Sequence, residues 1–305
     1  MAAAAARRRH DPGAVAAPAR PNARPAGRRT RAGRRALFLP PGAAARGHAP
    51  RSRAVHGAGA GHRDRRPTLA AARAAAAARR TALRRGTWSL GSDPRGFAFD
   101  NERPATERTV PACEIDAQAV RWAEFLPFVE AGAYARPHWW TDEGRQWLSQ
   151  SGARAPRYLR RAGDGWQRWR HGRWQALDPA EAACHLTLHE AQAWCRWAGR
   201  RLPTEAEWER AAVTQPQRFR WGDVWEWTGS PFEPFPGFVA HPYRDYSAPW
   251  FDGRPVLRGA SFMTQPRMRH PRYRNFFQAG RNDVPAGFRS CAACSPAPAA
   301  SQPCA

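Results

Sequence analysis

Lysine is absent from the chain; all 49 of its Lys/Arg residues are arginine. The first 86 residues also lack almost every other component of a folded domain. They contain one aromatic (Phe38) and two acids (Asp11, Asp64) against 21 arginines, so +19 of the chain's +24 lies there. A segment with so little apolar mass cannot offset the entropy of ordering its backbone. Residues 1–82 are therefore expected to be a disordered, Arg/Ala-rich basic tail. Residues 87–305 carry a surplus of only +5, so the basic charge does not describe a nucleic-acid-binding fold. No apolar run approaches the roughly 18 residues of a membrane span. "MAAAAARRR" is followed by no apolar core of a secretory signal. Neither a membrane nor nucleic acid is expected as a partner.

Three readings of the tail compete: a basic arm, a Ser-poor organelle transit peptide, or an artefact. Runs such as "AAARAAAAARR" and "RPAGRRTRAGRR" have the Ala/Arg/Gly/Pro bias of GC-rich DNA translated in a wrong frame or from a wrong start. The absence of lysine fits such a source, and the artefact is the preferred reading. Cysteine is sparse, with six residues at 113, 184, 195, 291, 294 and 304. Cys195, on the apolar face of "AQAWCRWAG", reads as a buried thiol. "CAAC" at 291–294 has redox or zinc spacing. Zinc needs four ligands and only Cys304 is near in sequence, so residues 292–305 are read as a loose C-terminal tail. This usage fits a reducing cytoplasm.

The remaining region, 83–291, reads as one α+β, loop-rich domain whose many aromatics supply the core. "WAEFLPFVEAG" (122–132) has helical apolar spacing ending at a glycine. Thr187 with Glu190, and Thr204 with Glu207, are the T-x-x-E of two capping boxes, and Gly199 stops the first helix. His185 and His189 imitate an i,i+4 metal pair. The first capping box instead puts His185 in the preceding extended segment, off the helical face of His189, which favours structural roles. "PVLRGASF" reads as a strand.

Four pieces, "AGRRLPTEAEWERAA", "GDVWEWTGSPF", "VLRGASF" and "AGFRSC", occur in the order of the formylglycine-generating-enzyme/sulfatase-modifying-factor family. The resemblance spans roughly residues 84–291 and implies a variant of the C-type-lectin fold. Its formylglycine-generating branch needs two copper-binding Cys after the "RGGS" equivalent. Here the stretch is "RGASFMTQPRMRHPRYRNFF", without Cys, so that chemistry has no thiolates to use.

The chain also resembles two oxygenase branches through "FDNE", "PGFVAHPYRDYSAPWFDGRPVLRG" and "RNFFQAGR". One comprises the ergothioneine-pathway sulfoxide synthases, which join hercynine to a cysteine derivative with O2 and Fe(II). The other comprises selenoneine synthases, which join hercynine to a selenosugar. The resemblance implies that Tyr243 is the catalytic proton donor and that Tyr246 lines the site. It implies that Asn275 and Phe276 hold hercynine, whose quaternary ammonium suits an aromatic face. Phe277 stands where an Asp serves γ-glutamylcysteine in the sulfoxide synthases, and Arg281 matches the arginine for a substrate carboxylate. A ring at 277 is a platform for a sugar face. "HPYRDYSAPWF", "RGAS" and "RYRNFF" also resemble selenoneine synthase more closely, so a selenosugar is the expected donor. The competing reading of Phe276 and Phe277 is plain core packing.

Both oxygenase branches hold iron with three His from an N-terminal helical bundle. Here His10, His48, His56 and His62 lack the H-x-x-x-H spacing, and no iron ligand is identifiable. Three functions stay open: an iron-dependent oxygenase of hercynine with a selenosugar or a cysteine derivative, a non-catalytic binding subunit, and the least favoured, a basic-arm nucleic-acid protein.

Overall fold

A computed structural model describes residues 80–293. The basic tail expected over 1–82 therefore lies outside the described residues except for its last three, and the C-terminal tail except for Ala292 and Ala293. Strand β1 (Arg80–Leu83) begins the structure and pairs antiparallel with β4 (Cys113–Asp116). At the other end Cys291, the last residue of the expected domain, is held in a strand. It is fully buried in β13 (Cys291–Ala292), between β4 and β8 (Arg200–Arg201). The alternation of buried positions in so short a strand is too brief to be read from sequence.

Two smaller sheets flank this one: the pair β2 (Gly86–Leu90) and β3 (Thr106–Val110), and a meander of β5 (Leu159–Ala162), β6 (Gly165–Arg170) and β7 (Arg173–Ala176). The sheet that organises the core has the order β11 (Arg274–Phe276), β10 (Pro255–Gly259), β9 (Trp225–Pro231), β12 (Ala286–Phe288). Only β12 and β9 run parallel within it. "PVLRGASF" thus forms the expected strand, with every residue of Pro255–Gly259 buried.

Among the described residues, four helices pack on these sheets: α1 (Trp122–Glu130), α2 (Asp142–Ser151), α3 (Leu188–Ala198) and α4 (Glu205–Thr214). Both capping boxes form. Thr187 Oγ1 accepts from Glu190 N at 3.0 Å, and Glu190 Oε2 accepts from Thr187 N at 2.7 Å. The corresponding distances at Thr204 and Glu207 are 3.2 and 2.7 Å. These bonds satisfy amides that a helix start leaves unpaired. Gly199 closes α3 at φ +66°, a left-handed cap that glycine adopts without Cβ strain. The aromatic-rich sequence does build the core. Trp122, Phe125, Phe128, Trp140, Trp227 and Phe288 are among its buried members.

Gly287 in β12 shows how close the packing is. A Cβ there would sit 2.2 Å from the Ala183 carbonyl oxygen and 3.0 Å from Val224. Gly287→Ala is expected to cost about 1–3 kcal/mol through overpacking, read as a lower urea midpoint at unchanged slope. An unchanged midpoint would mean that the backbone at Ala183 yields freely.

Candidate functional site

The loop after β9 carries Tyr243 and the one-turn 3-10 helix Arg244–Tyr246. Tyr243 is 68% exposed. Tyr246 turns inward. Its ring stacks on Phe99 with centroids 4.3 Å apart, and its hydroxyl lies 3.1 Å from that of Tyr273. Burial, and then the bond to Tyr273, push the Tyr246 phenol well above its ordinary range, so it stays protonated. Phe99 begins the "FDNE" segment, whose last three residues form a buried 3-10 turn. Asp100 accepts a hydrogen bond from Ser247 Oγ, and Asn101 Nδ2 donates to the same hydroxyl at 3.1 Å. Thus "FDNE" and the tyrosine loop, 147 residues apart at the Asp100–Ser247 bond, are bonded into one wall.

Behind this wall lies Glu102, a residue that the sequence reading quoted without assigning it a role. Its carboxyl is fully buried. Oε2 accepts from Ser92 Oγ at 3.0 Å and lies 3.8 Å from His270 Nε2, while Oε1 has no hydrogen-bond partner. Burial pushes this carboxyl up to about 7. His270 moves the other way, pulled down by burial and then by Arg258 and Arg272. A carboxyl poised near neutrality beside an imidazole and two phenols can hold or release a proton at physiological pH. The signal available in the sequence was an acid in a short, polar "DNER" run that ends at Pro104.

The residues of β11 divide between its two faces. Side chains alternate along a strand: Tyr273 and Phe277 pack on the main core, while Arg274 and Phe276 meet Phe232 on the other side. Phe276 stacks on Phe232 at 4.1 Å, and Phe232 continues to Phe251 at 4.8 Å. Asn275 follows the face of Tyr273, and its Oδ1 accepts from the Phe276 amide at 2.9 Å. Asn275 and Phe276, expected to hold one ligand together, therefore stand on opposite faces. Phe277 lies under the Arg281 guanidinium at 5.4 Å, and Arg281 is paired with Asp283 at 2.6 Å. Among the described residues, no hydrogen bond or ring contact directly joins Tyr243 or Tyr246 to the group Asn275–Arg281. Tyr246 reaches the start of this strand through its bond to Tyr273, whereas Phe276 continues through Phe232 to Phe251.

His185 and His189 do not share a helical face. His185 precedes α3 at φ +62°, whereas His189 lies in the first turn and stacks on Trp147 at 5.8 Å. A cavity of about 310 Å³ does open beside His185, bounded by Arg121, Arg157, Arg168, Arg170 and Tyr158. It contains none of the residues expected to bind substrate. A shallower groove of about 570 Å³ includes Gln278 and Ala279, which follow Phe277, together with His189 and Arg254.

Comparison with known proteins identifies the family of the fold. The profile of the sulfatase-modifying factor enzyme 1-like domain matches residues 67–223, just over half of the chain. The hercynine oxygenase of Mycobacterium tuberculosis is 34% identical over 236 residues, covering 63% of this chain and 55% of that protein. That of Mycolicibacterium smegmatis is 32% identical over 254 residues, covering 67% and 59%. The formylglycine-generating enzyme of Bos taurus is 30% identical over 152 residues, covering 45% and 41%. The chain thus spans little more than half the length of the hercynine oxygenases it matches.

The described residues do not fit the expected iron site. Among them, the one group of three or more His, Cys, Asp or Glu whose ligand atoms converge is Cys113, Glu207 and Cys291. Two thiols and a carboxylate are not the imidazole-dominated set that a non-haem iron oxygenase uses. The four histidines of the leading segment lie outside the described residues.

Proposed function

Because the chain belongs to the sulfatase-modifying factor enzyme 1-like domain family, we propose that it is the substrate-binding domain of an iron-dependent oxygenase that joins hercynine to a selenosugar with O2. On this reading its mixed, loop-rich fold is the formylglycine-generating variant of the C-type-lectin fold. The observation that carries the functional reading is the wall formed by Phe99, Tyr246 and Tyr273, with Tyr243 exposed at its edge. Electron-rich rings attract a quaternary ammonium without needing a carboxylate partner. In this reading Tyr243 donates a proton during turnover, Asn275 and Phe276 hold the histidine betaine, and Phe277 with Arg281 meets the donor. Similarity to the hercynine oxygenases supports the acceptor. Phe277 supports the donor, because a ring opposite an amino acid's ammonium and carboxylate leaves both charges poorly paired, at about 1–3 kcal/mol. Hercynine with a cysteine derivative, giving a sulfoxide of the ergothioneine pathway, is the alternative favoured by the named relatives.

Calorimetry on the purified chain tests this. Hercynine should bind, and Asn275→Ala should weaken it with either donor present. A thio- or selenosugar should then bind better than cysteine or γ-glutamylcysteine by roughly ten- to two-hundredfold. Phe277→Asp should narrow that gap. Tighter binding of the cysteine derivatives with Phe277 intact would transfer the reading to ergothioneine chemistry. No hercynine binding at millimolar concentration would remove both.

A further inference from the structure

We propose that Cys113, Cys291 and Glu207 form a binding site for a thiophilic divalent cation of the zinc class, separate from the aromatic wall. The three residues come from three elements: β4, β13 and the first turn of α4. Their ligand atoms all lie within 4.8 Å of one another. Two thiolates bound to one tetrahedral zinc at about 2.3 Å would be about 3.8 Å apart, so a small inward rotation of the side chains brings the set onto one ion.

Strand register favours a shared ion over a disulfide. Cys291 lies directly opposite Ile115, so Cys113, two residues along β4, is its diagonal neighbour on the same face. Diagonal Cα atoms are about 7–8 Å apart, whereas a disulfide spans about 4.4–6.8 Å. Two thiols in this arrangement can share a cation without moving the strands.

The charges also suit a cation. Glu207 is buried, yet its carboxyl stays below its ordinary value: burial raises it, and the Arg201 guanidinium and the Thr204 amide lower it by more. Its Oε1 accepts one bond, from Arg201 Nη2 at 2.6 Å, which leaves a lone pair for a ligand. The Cys291 thiol is pushed far up, first by its hydrogen bond with Cys113 and then by burial. A divalent ion would displace the proton of each thiol it binds, since the thiolate is the ligand. Two thiolates and one carboxylate would then face the ion and Arg201, three negative charges against three positive. Cys113 is only half-buried, which leaves an entry path and an open coordination position for water. Such an ion would tie β4 and the chain's last described strand to the start of α4.

The test uses the full chain, stripped with a chelator and titrated with Cd2+ or Zn2+ at neutral pH. One Cd2+ should bind per chain with a thiolate-to-metal charge-transfer band, release about two protons, and bind more tightly as pH rises. Zn2+ should raise the thermal midpoint. Cys113→Ser should abolish the band and weaken affinity by about a hundredfold or more, since even outer partners of a metal site are worth ten- to a hundredfold. Because Cys113 is half-exposed, this variant decides the matter even if Cys291→Ser fails to fold. A double variant, Cys294→Ser with Cys304→Ser, should keep the band. Persistence of the band in Cys113→Ser would overturn the proposal. So would its loss in the double variant, or a Cys113–Cys291 disulfide in the air-purified protein.

Discussion

Arg274→Ala is expected to destabilise the domain by about 3–5 kcal/mol, the cost of leaving a buried charge without its partner. Arg274 is fully enclosed and gripped on every side. It makes a two-pronged pair with Glu205 at 2.9 and 3.0 Å, and donates to the Asn101 and Glu233 carbonyls at 2.6 and 3.1 Å. Phe235 and Phe232 cover the guanidinium at 4.1 and 5.0 Å. Burial pulls Arg274 below its ordinary value, and Glu205 opposes that pull. With the guanidinium gone, Glu205 keeps only Arg258 at 3.4 Å, and Arg258 is also committed to Glu209. The bond to Asn101 ties β11 to the "FDNE" turn, so the damage should reach the aromatic wall as well. Urea unfolding of Arg274→Ala, Glu205→Gln and the double variant would measure this. The double variant should be less damaged than the sum of the singles, by about 0.5–3 kcal/mol, because each single strands the other's charge. A single-variant loss under about 1 kcal/mol would show that water reaches Glu205 and that the network holds β11 only weakly.

That network also marks where the sequence was legible and where it was not. Helix starts were readable because a capping box is a local device: four consecutive residues carry both bonds, and Thr187–Glu190 and Thr204–Glu207 form as spaced. The same α4 segment, "TEAEWERAA", hides a second pattern. Glu205 and Glu209 are one turn apart and face inward, toward Arg274, Arg258 and Arg272. Acids in a first turn ordinarily read as solvated charge, and their arginine partners are 49 to 69 residues away, a distance no window on the sequence covers. The candidate site divided in the same way. The resemblance singled out Tyr246, whose ring is packed into the wall, and Asn275. It did not reveal that Asn275 and Phe276 occupy opposite faces, since the face of a three-residue strand is set by β10 beside it. In the "CAAC" run, sequence proximity drew attention to Cys294 and Cys304, which lie outside the described residues. The thiol that Cys291 meets is Cys113, brought beside it by β4.

Glu102→Gln is expected to separate from the parent protein as pH rises. The Glu102 carboxyl titrates at about 7 in the fold, against 4.5 for an unburied glutamate. Its protonated form is therefore the one the fold favours. That contribution is fully present below about pH 4.5 and is lost as pH climbs through about 7. Two and a half units correspond to about 3 kcal/mol, an upper bound at each unit's 1.36 kcal/mol. Burial is the main cause, opposed by the Ser92 hydroxyl, Arg258 and the Phe99 backbone, with Glu209 adding to the rise. Glutamine copies the protonated carboxyl in shape and cannot ionise. The variant should thus match the parent below about pH 4.5 and exceed it in stability by up to about 3 kcal/mol near pH 8. His270, 3.8 Å away, titrates with the opposite sign, because a lowered imidazole adds stability as pH rises. It is present in both proteins, so the difference between their curves isolates Glu102. Unfolding free energies at half-unit steps from about pH 4 to about pH 8 are the measurement. Parallel curves would mean that Glu102 is already ionised in the fold and compensated by Arg258 and His270, and its place as a proton-holding group behind Tyr246 and Tyr273 would be lost.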